Sequence, residues 1–198
     1  MKWQISVVGS GDGTKVSESM KRHAEEVGFR ISQKGGIVVT GGMGGVMSAA
    51  ARGAKRGGGL VMAVIPFPTS WARPQEIDVL VESGLGWGVS HALQVRCSHA
   101  IISIGGGSGT LAELSNAYMH DVPIVALHGH GGITDLFAGK YLDSRRFRIV
   151  VRCSTPRQAV ETAFKLAREH WSKASGMALK PPRSERKCLP KYCRTFQR

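Results

Sequence analysis

The chain of 198 residues contains no run near the roughly 18–20 consecutive apolar residues that a membrane-spanning helix requires. Residues 1–9 are too short and too soon interrupted to read as a signal peptide, so a cytoplasmic protein with no membrane contact is expected. Cysteine is scarce: Cys97, Cys153, Cys188 and Cys193 are too few and too scattered to staple a chain long enough to bury its own core. Reduced thiols are the expectation, with Cys97 and Cys153 as small buried hydrophobes. Acidic residues are the other shortage, 14 against 27 basic ones, for a net charge of +13. That balance disfavours cationic partners and favours phosphates, nucleotides or nucleic acid.

The excess charge is unevenly placed. Eight of the basic residues but a single acid, Glu185, lie from Lys173 onward, so the last stretch carries +7 and residues 1–172 carry +6. Beyond Trp171 the sequence turns to Lys, Arg, Ser and Pro without an apolar period. Residues 1–171 are therefore read as one folded domain and 172–198 as a basic, disordered tail. With Tyr192 and Phe196 among its cations, the tail is a candidate for nucleic-acid binding by counterion release and stacking; a solvated tail is the bland alternative.

Glycine is what the chain has in excess, 26 residues or about twice the usual share of roughly 7%. The glycines cluster at the ends of apolar runs. Ile5 to Val8 leads into Gly9-Ser10-Gly11-Asp12-Gly13 and then Val16, Met20, Ala24 and Val27 at helical spacing. Ile37 to Thr40 leads into Gly41-Gly42-Met43-Gly44-Gly45 and an Ala-rich helix from Val46 to Arg56. Leu60 to Ile65 is a third strand, and Pro66 to Asp78, with three prolines, a long loop before a fourth at Val79 to Glu82. A glycine-rich linker, Ser83 to Gly88, precedes a helix near Ser90 to Cys97. Strand Ala100 to Ile104 then meets Gly105-Gly106-Gly107-Ser108-Gly109-Thr110 and a helix from Leu111 to His120. Strands at Ile124 to Leu127 and Arg148 to Val151 flank a short helix, Thr134 to Lys140. The last helix opens with Thr155 as N-cap, Pro156, and Gln158 completing a capping box, and shows Ala159, Val160, Ala163, Phe164, Ala167 and Trp171 on one face. Continuous apolar strands separated by helices predict a doubly wound, mostly parallel α/β sheet of about seven strands.

In such a sheet ligands bind beyond the carboxyl ends of the strands, where glycines let the backbone approach and helix N-termini offer N–H groups to an anion. The turns Gly9 to Gly13, Gly41 to Gly45 and Gly105 to Thr110 each precede a helix, and phosphate is their natural guest. Candidate ligand-binding residues are Gly9, Gly11, Thr40, Gly41, Gly42, Met43, Gly44, Gly45, Gly105, Gly106, Gly107, Ser108, Gly109 and Thr110. NAD is not expected. The first turn is GxGxG rather than GxGxxG, and the second strand ends in Thr40-Gly41 without an acid to hold a ribose.

The segments GGIVVTGGMGGVMSAAARGAKRGGG, IISIGGGSGTLAEL and GHGGITDLFAGKYLDSRR together resemble the Rossmann-like LOG superfamily. Its enzymes are cytokinin-activating phosphoribohydrolases, often mislabelled lysine decarboxylases. The resemblance is strongest to the branch that holds molybdenum cofactor carrier proteins and DprA-related proteins, and it covers residues 1–171. The enzymes' motif PGGxGTxxE falls on Gly105 to Glu113, with Gly105 in place of proline. The resemblance implies that Glu113 would serve hydrolysis of the N-glycosidic bond of a nucleoside 5′-monophosphate. It also implies an arginine on the preceding helix, but that position is Ser90, with His91 beside it. Arg96, six residues on, points elsewhere on a helix; Arg73, in the long loop, is a candidate to reach over the cleft.

Two functions follow as expectations. One is a carrier or sensor of a phosphorylated nucleotide or a pterin such as molybdenum cofactor; the other is a phosphoribohydrolase. Family similarity also implies a homodimer or higher oligomer. No lysine stands in a pyridoxal phosphate setting, so amino-acid decarboxylation is not expected. Glu113 has a second reading from the residues alone, because Thr110-x-x-Glu113 has the spacing of a capping box. His128 and Gly131, in the turn after the sixth strand, are candidate ligand-lining residues. His128-Gly-His130 lacks the third ligand a metal needs, and Cys188 and Cys193 have no histidine near them, so no metal is expected. His99 and His120 are expected at surface or capping positions.

Overall fold

The computed structural model describes residues 2–11, 16–67 and 76–175. Seven strands, β1 (Gln4–Gly9), β2 (Ile37–Thr40), β3 (Leu60–Ile65), β4 (Val79–Glu82), β5 (Ala100–Ile104), β6 (Ile124–Leu127) and β7 (Val151–Cys153), form one parallel sheet in the order β4-β3-β2-β1-β5-β6-β7. Helices α1 (Glu18–Gln33), α2 (Val46–Arg56), α3 (Gly86–Arg96), α4 (Ser108–Met119), α5 (Gly132–Phe137) and α6 (Pro156–Ser175) connect and cover them.

The strands alternate between two buried faces. Ile5, Val7, Ile102, Ile104, Val125 and Leu127 pack with residues of α1, α2 and α6, among them Met20, Ala50 and Phe164. Ile101, Ile124 and Ala126 face the other way, against Val95 of α3 and Leu114, Ala117 and Tyr118 of α4. Burial on both faces explains why the strands are apolar throughout rather than alternating with polar residues. β1 and β5 lie side by side at the centre, and their close approach needs a glycine: a Cβ on Gly9 would stand 2.0 Å from the Ile104 carbonyl oxygen.

The doubly wound parallel sheet matches the expectation, and six of its elements differ at their ends, among them β1, expected over Ile5 to Val8 and found over Gln4–Gly9, and α5, expected over Thr134 to Lys140 and found over Gly132–Phe137. α3 begins at Gly86, inside the segment expected to be a linker. α4 begins at Ser108 rather than Leu111, because Gly107 is the N-cap. The apolar run Arg148 to Val151 is not the seventh strand: Ile149 bridges antiparallel to Tyr141, and the Val150 N–H donates to the Lys140 carbonyl at 2.9 Å, so the parallel ladder to β6 takes up only Val151–Cys153. α6 continues past Trp171 to Ser175. At its start, Thr155 Oγ1 accepts from the Gln158 N–H and Gln158 Oε1 accepts from the Ser154 N–H, closing the box one residue earlier than the standard pattern. Cys153 is buried as expected, whereas Cys97, capping α3, is only half-buried. Arg73, Cys188, Cys193 and the basic segment from 176 on lie outside the described residues.

Candidate functional site

The chain leaves β1 toward one face of the sheet and β5 toward the other, which opens a crevice between their carboxyl ends. Ser10, the residue after β1, ties the turns around that crevice. Its Oγ accepts from the Gly106 N–H at 2.8 Å, its carbonyl accepts from the Val46 N–H at 2.9 Å, and its own N–H donates to the Ile104 carbonyl at 3.3 Å. The Ser10 carbonyl that accepts from Val46 sits against Gly45, whose φ of +66° and lack of a Cβ let α2 start directly over Ser10.

The glycine turn after β5 is also held from its far side. The Gly105 carbonyl accepts from both the N–H and the hydroxyl of Thr134, at 3.1 and 2.6 Å, and the Gly106 carbonyl accepts from the Ile133 N–H at 3.0 Å. With those groups occupied, Gly107, Ser108, Gly109 and Thr110 present the start of α4 to a cleft of about 430 Å³, a size suited to a small ligand. No side chain caps α4. Its first N–H groups therefore remain available to an anion.

The opposite wall comes from Gly9 at the end of β1, Gly11 beyond it, Gly41 and Met43 after β2, and Met47 at the start of α2. Val64, Pro66 and Trp87 make the remaining wall apolar, and Ser90, His91, Gln94 and Glu113 supply polar groups from α3 and α4. The cleft thus brings together eleven of the residues expected from sequence: Gly9, Gly11, Gly41, Met43, Gly107, Ser108, Gly109, Thr110, Glu113, Ser90 and His91. Others support it from behind. Thr40 is buried with its Oγ1 accepting from the Gly42 N–H, Gly44 and Gly45 lead into α2, and Gly105 and Gly106 carry the bonds described above.

His128 and Gly131 are not among the residues lining the cleft. His128 Nε2 pairs with Ser154 Oγ at 2.9 Å, and the Gly131 N–H donates to Asp135 at 2.9 Å, both in the turn between β6 and α5. Arg96 lines a separate depression with Lys2, His99 and Trp171, as its helical phase predicts. His99 Nδ1 accepts from the Gln4 N–H, and His120 caps α4. No group of three or more His, Cys, Asp or Glu gathers as a metal site among the described residues.

Glu113 is the unusual side chain of the cleft. It is only 4% exposed, and burial raises its pKa from 4.5 to about 8, so the carboxyl is largely protonated at neutral pH. The capping-box reading does not hold. Because Gly107 is the N-cap, Thr110 already lies within the first turn of α4 and Glu113 one turn further on, and neither side chain caps the helix. Ser90 is buried and returns its hydroxyl to the Trp87 carbonyl at 2.9 Å. His91 is half-buried, with its pKa lowered by desolvation, so it is neutral at pH 7. The described lining accordingly contains no Lys or Arg.

Sequence reasoning missed four contributors. Trp87, whose ring centroid lies 6.2 Å from that of His91, sat in the expected linker. Met47 was assigned only to a helix, Ser10 only to a glycine turn, and Gln94 carried no signal beyond lying one helical turn after Ser90.

The model of the SLOG cluster4 family matches residues 2–160. A protein of Archaeoglobus fulgidus is 36% identical over 124 residues, which cover 63% of this chain and 79% of that protein. The structure of TM1055 superposes with a TM-score of 0.76 at 30% identity, covering 83% of this chain and 99% of that one. The molybdenum cofactor carrier protein of Chlamydomonas reinhardtii superposes with a TM-score of 0.71 at 28% identity, covering 84% and 98%. Among the described residues no helix is long and apolar enough to cross a membrane.

Proposed function

The chain belongs to the SLOG cluster4 family, and from that starting point we propose that it binds a phosphorylated nucleotide or a pterin-type cofactor in the cleft between β1 and β5, as a carrier or sensor. The observation that carries this reading is the start of α4, a bare helix N-terminus opening on a half-apolar cleft at the switch point of the sheet. Backbone N–H groups and the helix dipole would hold the phosphate without a fixed cation, and the apolar wall would cover a ring. The likeness to a molybdenum cofactor carrier supports a pterin as one such cargo. Nucleoside 5′-monophosphates and pterin phosphates are expected to raise the melting temperature. A ligand at 100 times its Kd contributes about 2.7 kcal/mol, roughly 5–10 °C for a chain of this size. Equal shifts from the unphosphorylated compounds would sink the reading.

Glu113 favours a second reading, phosphoribohydrolysis. A protonated carboxyl in a cleft can donate its proton to the departing base as the N-glycosidic bond breaks, and the carboxylate left behind takes the proton of the water that adds to the sugar carbon. Release of ribose 5-phosphate from nucleoside 5′-monophosphates, falling above pH 8 and lost in Glu113→Gln, is the expected outcome of that chemistry. Full turnover by Glu113→Gln, or none by the wild type, removes it.

A further inference from the structure

We infer that Gln94 reads the ring of the ligand, its side-chain carbonyl accepting from an exocyclic amine on a fused nitrogen heterocycle, purine or pterin. The inference rests on the reading of the cleft as a site for a phosphorylated ring, and it specifies what that ring must carry.

Gln94 is fully buried. Its Nε2 donates to Ser6 Oγ at 2.7 Å, and Ser6 Oγ donates its own proton to the Val39 carbonyl at 3.4 Å. A hydroxyl has one proton, so Ser6 can only accept from Gln94, and this fixes which way the amide faces. The Oε1 atom is thereby turned toward Gly41, where a Cβ would stand 3.2 Å away, and it has no hydrogen-bond partner among the described residues. An unsatisfied buried carbonyl is costly, and a methionine or leucine would fill the same space without that cost.

Gly41 and Gln94 both line the cleft, so this buried acceptor lies within its wall, beside Gly41. The apolar residues lining the cleft with it, Met43, Met47 and Val64, offer no side-chain donor. A phosphate brings only acceptors and belongs at the start of α4, so the missing donor must come from another part of the ligand. Apolar side chains suit a ring better than a polyhydroxylated sugar, which makes an amine on that ring the fitting donor.

The experiment compares ligands that differ by the amine alone: adenosine against purine riboside 5′-monophosphate, guanosine against inosine 5′-monophosphate, and a pterin against a lumazine phosphomonoester. Calorimetric affinities for the wild type are expected to favour the amine-bearing member of each pair that binds by at least about tenfold. In Gln94→Met that preference is expected to shrink to within about twofold, while the affinity for ribose 5-phosphate is unchanged. Gly41→Ala, which leaves Gln94 in place but sets a methyl against its Oε1, is expected to lower the preference in the same way should Gln94→Met not fold.

A preference that survives in both variants overturns the inference, as does a wild type that binds a pair equally. A loss that follows removal of the sugar 2′-hydroxyl instead of the amine assigns the donor to the sugar and also overturns it. Failure of the wild type to bind any of these phosphorylated compounds is a different result, because it overturns the reading of the cleft itself.

Discussion

Glu113→Gln is expected to raise the melting temperature by roughly 10 °C at pH 9 and to leave it unchanged at pH 4. The sign follows from where the proton sits. In the unfolded chain Glu113 titrates near 4.5, and in the folded protein burial raises this to about 8. Below pH 4.5 both states hold the proton and the group contributes nothing to pH dependence. Between 4.5 and 8 only the folded state holds it, so stability falls as pH rises, and above 8 the loss is complete. At about 1.4 kcal/mol per pKa unit the total loss is on the order of 4 kcal/mol, which a chain of this size reads as roughly 10 °C. Glutamine has the shape of the protonated acid and no charge to desolvate. Parallel melting curves of the two proteins across this range would show that Glu113 is not buried as a neutral acid. The same substitution separates the functional readings: a carrier keeps its ligand affinity at pH 7 in Glu113→Gln, whereas a phosphoribohydrolase loses turnover.

Gly107→Asp is expected to reduce affinity for a phosphorylated ligand at least 100-fold while leaving the fold intact. Gly107 has a φ of −121°, so a side chain there is not forced into left-handed backbone, and a Cβ meets nothing within 4 Å. An aspartate at this N-cap accepts from the N–H groups of the first turn, favours the helix dipole and stabilises the free protein by a few tenths of a kcal/mol. Those same N–H groups are then lost to the ligand, and a carboxylate about 5 Å from a phosphate costs about 3 kcal/mol at an effective dielectric constant near 20. Gly107→Asn, which caps without charge, is expected to fall between aspartate and the wild type. The comparison is made by calorimetry for affinity and by melting temperature for the free proteins. Undiminished binding by Gly107→Asp would mean that the anion sits elsewhere.

The sheet was legible because a strand buried on both faces is an unbroken apolar run. Ile37–Thr40, Leu60–Ile65, Ala100–Ile104 and Ile124–Leu127 have the ends expected from sequence, as does the partly exposed edge strand Val79–Glu82. Arg148 to Val150 has the same apolar look but pairs back on Lys140 and Tyr141, and composition cannot tell which neighbour a short run will take. The start of α3 was hidden for a related reason: Gly86, Trp87 and Gly88 have no apolar period, and two glycines there read as a linker.

The glycine turns declared the phosphate end of the site because their chemistry is carried by the backbone, and backbone requirements mark a sequence visibly. Side chains that act through burial left no such mark. Glu113 stands three residues after a threonine and so imitates a cap; only the position of Gly107 shows that the helix had begun earlier. Gln94 would read the same on an exposed helix face.

The ties that Ser10, Ile133 and Thr134 place on Gly105 and Gly106 bear on how a ligand would arrive. These four bonds draw on β1 and on α5, two parts of the chain more than a hundred residues apart, so the turn has its final shape only once both halves of the sheet have met. A fragment carrying either half would own glycine-rich sequence but no receptor. In the whole protein the geometry is already in place before any guest appears, so little ordering entropy opposes capture, and the interaction free energy goes into telling one guest from another.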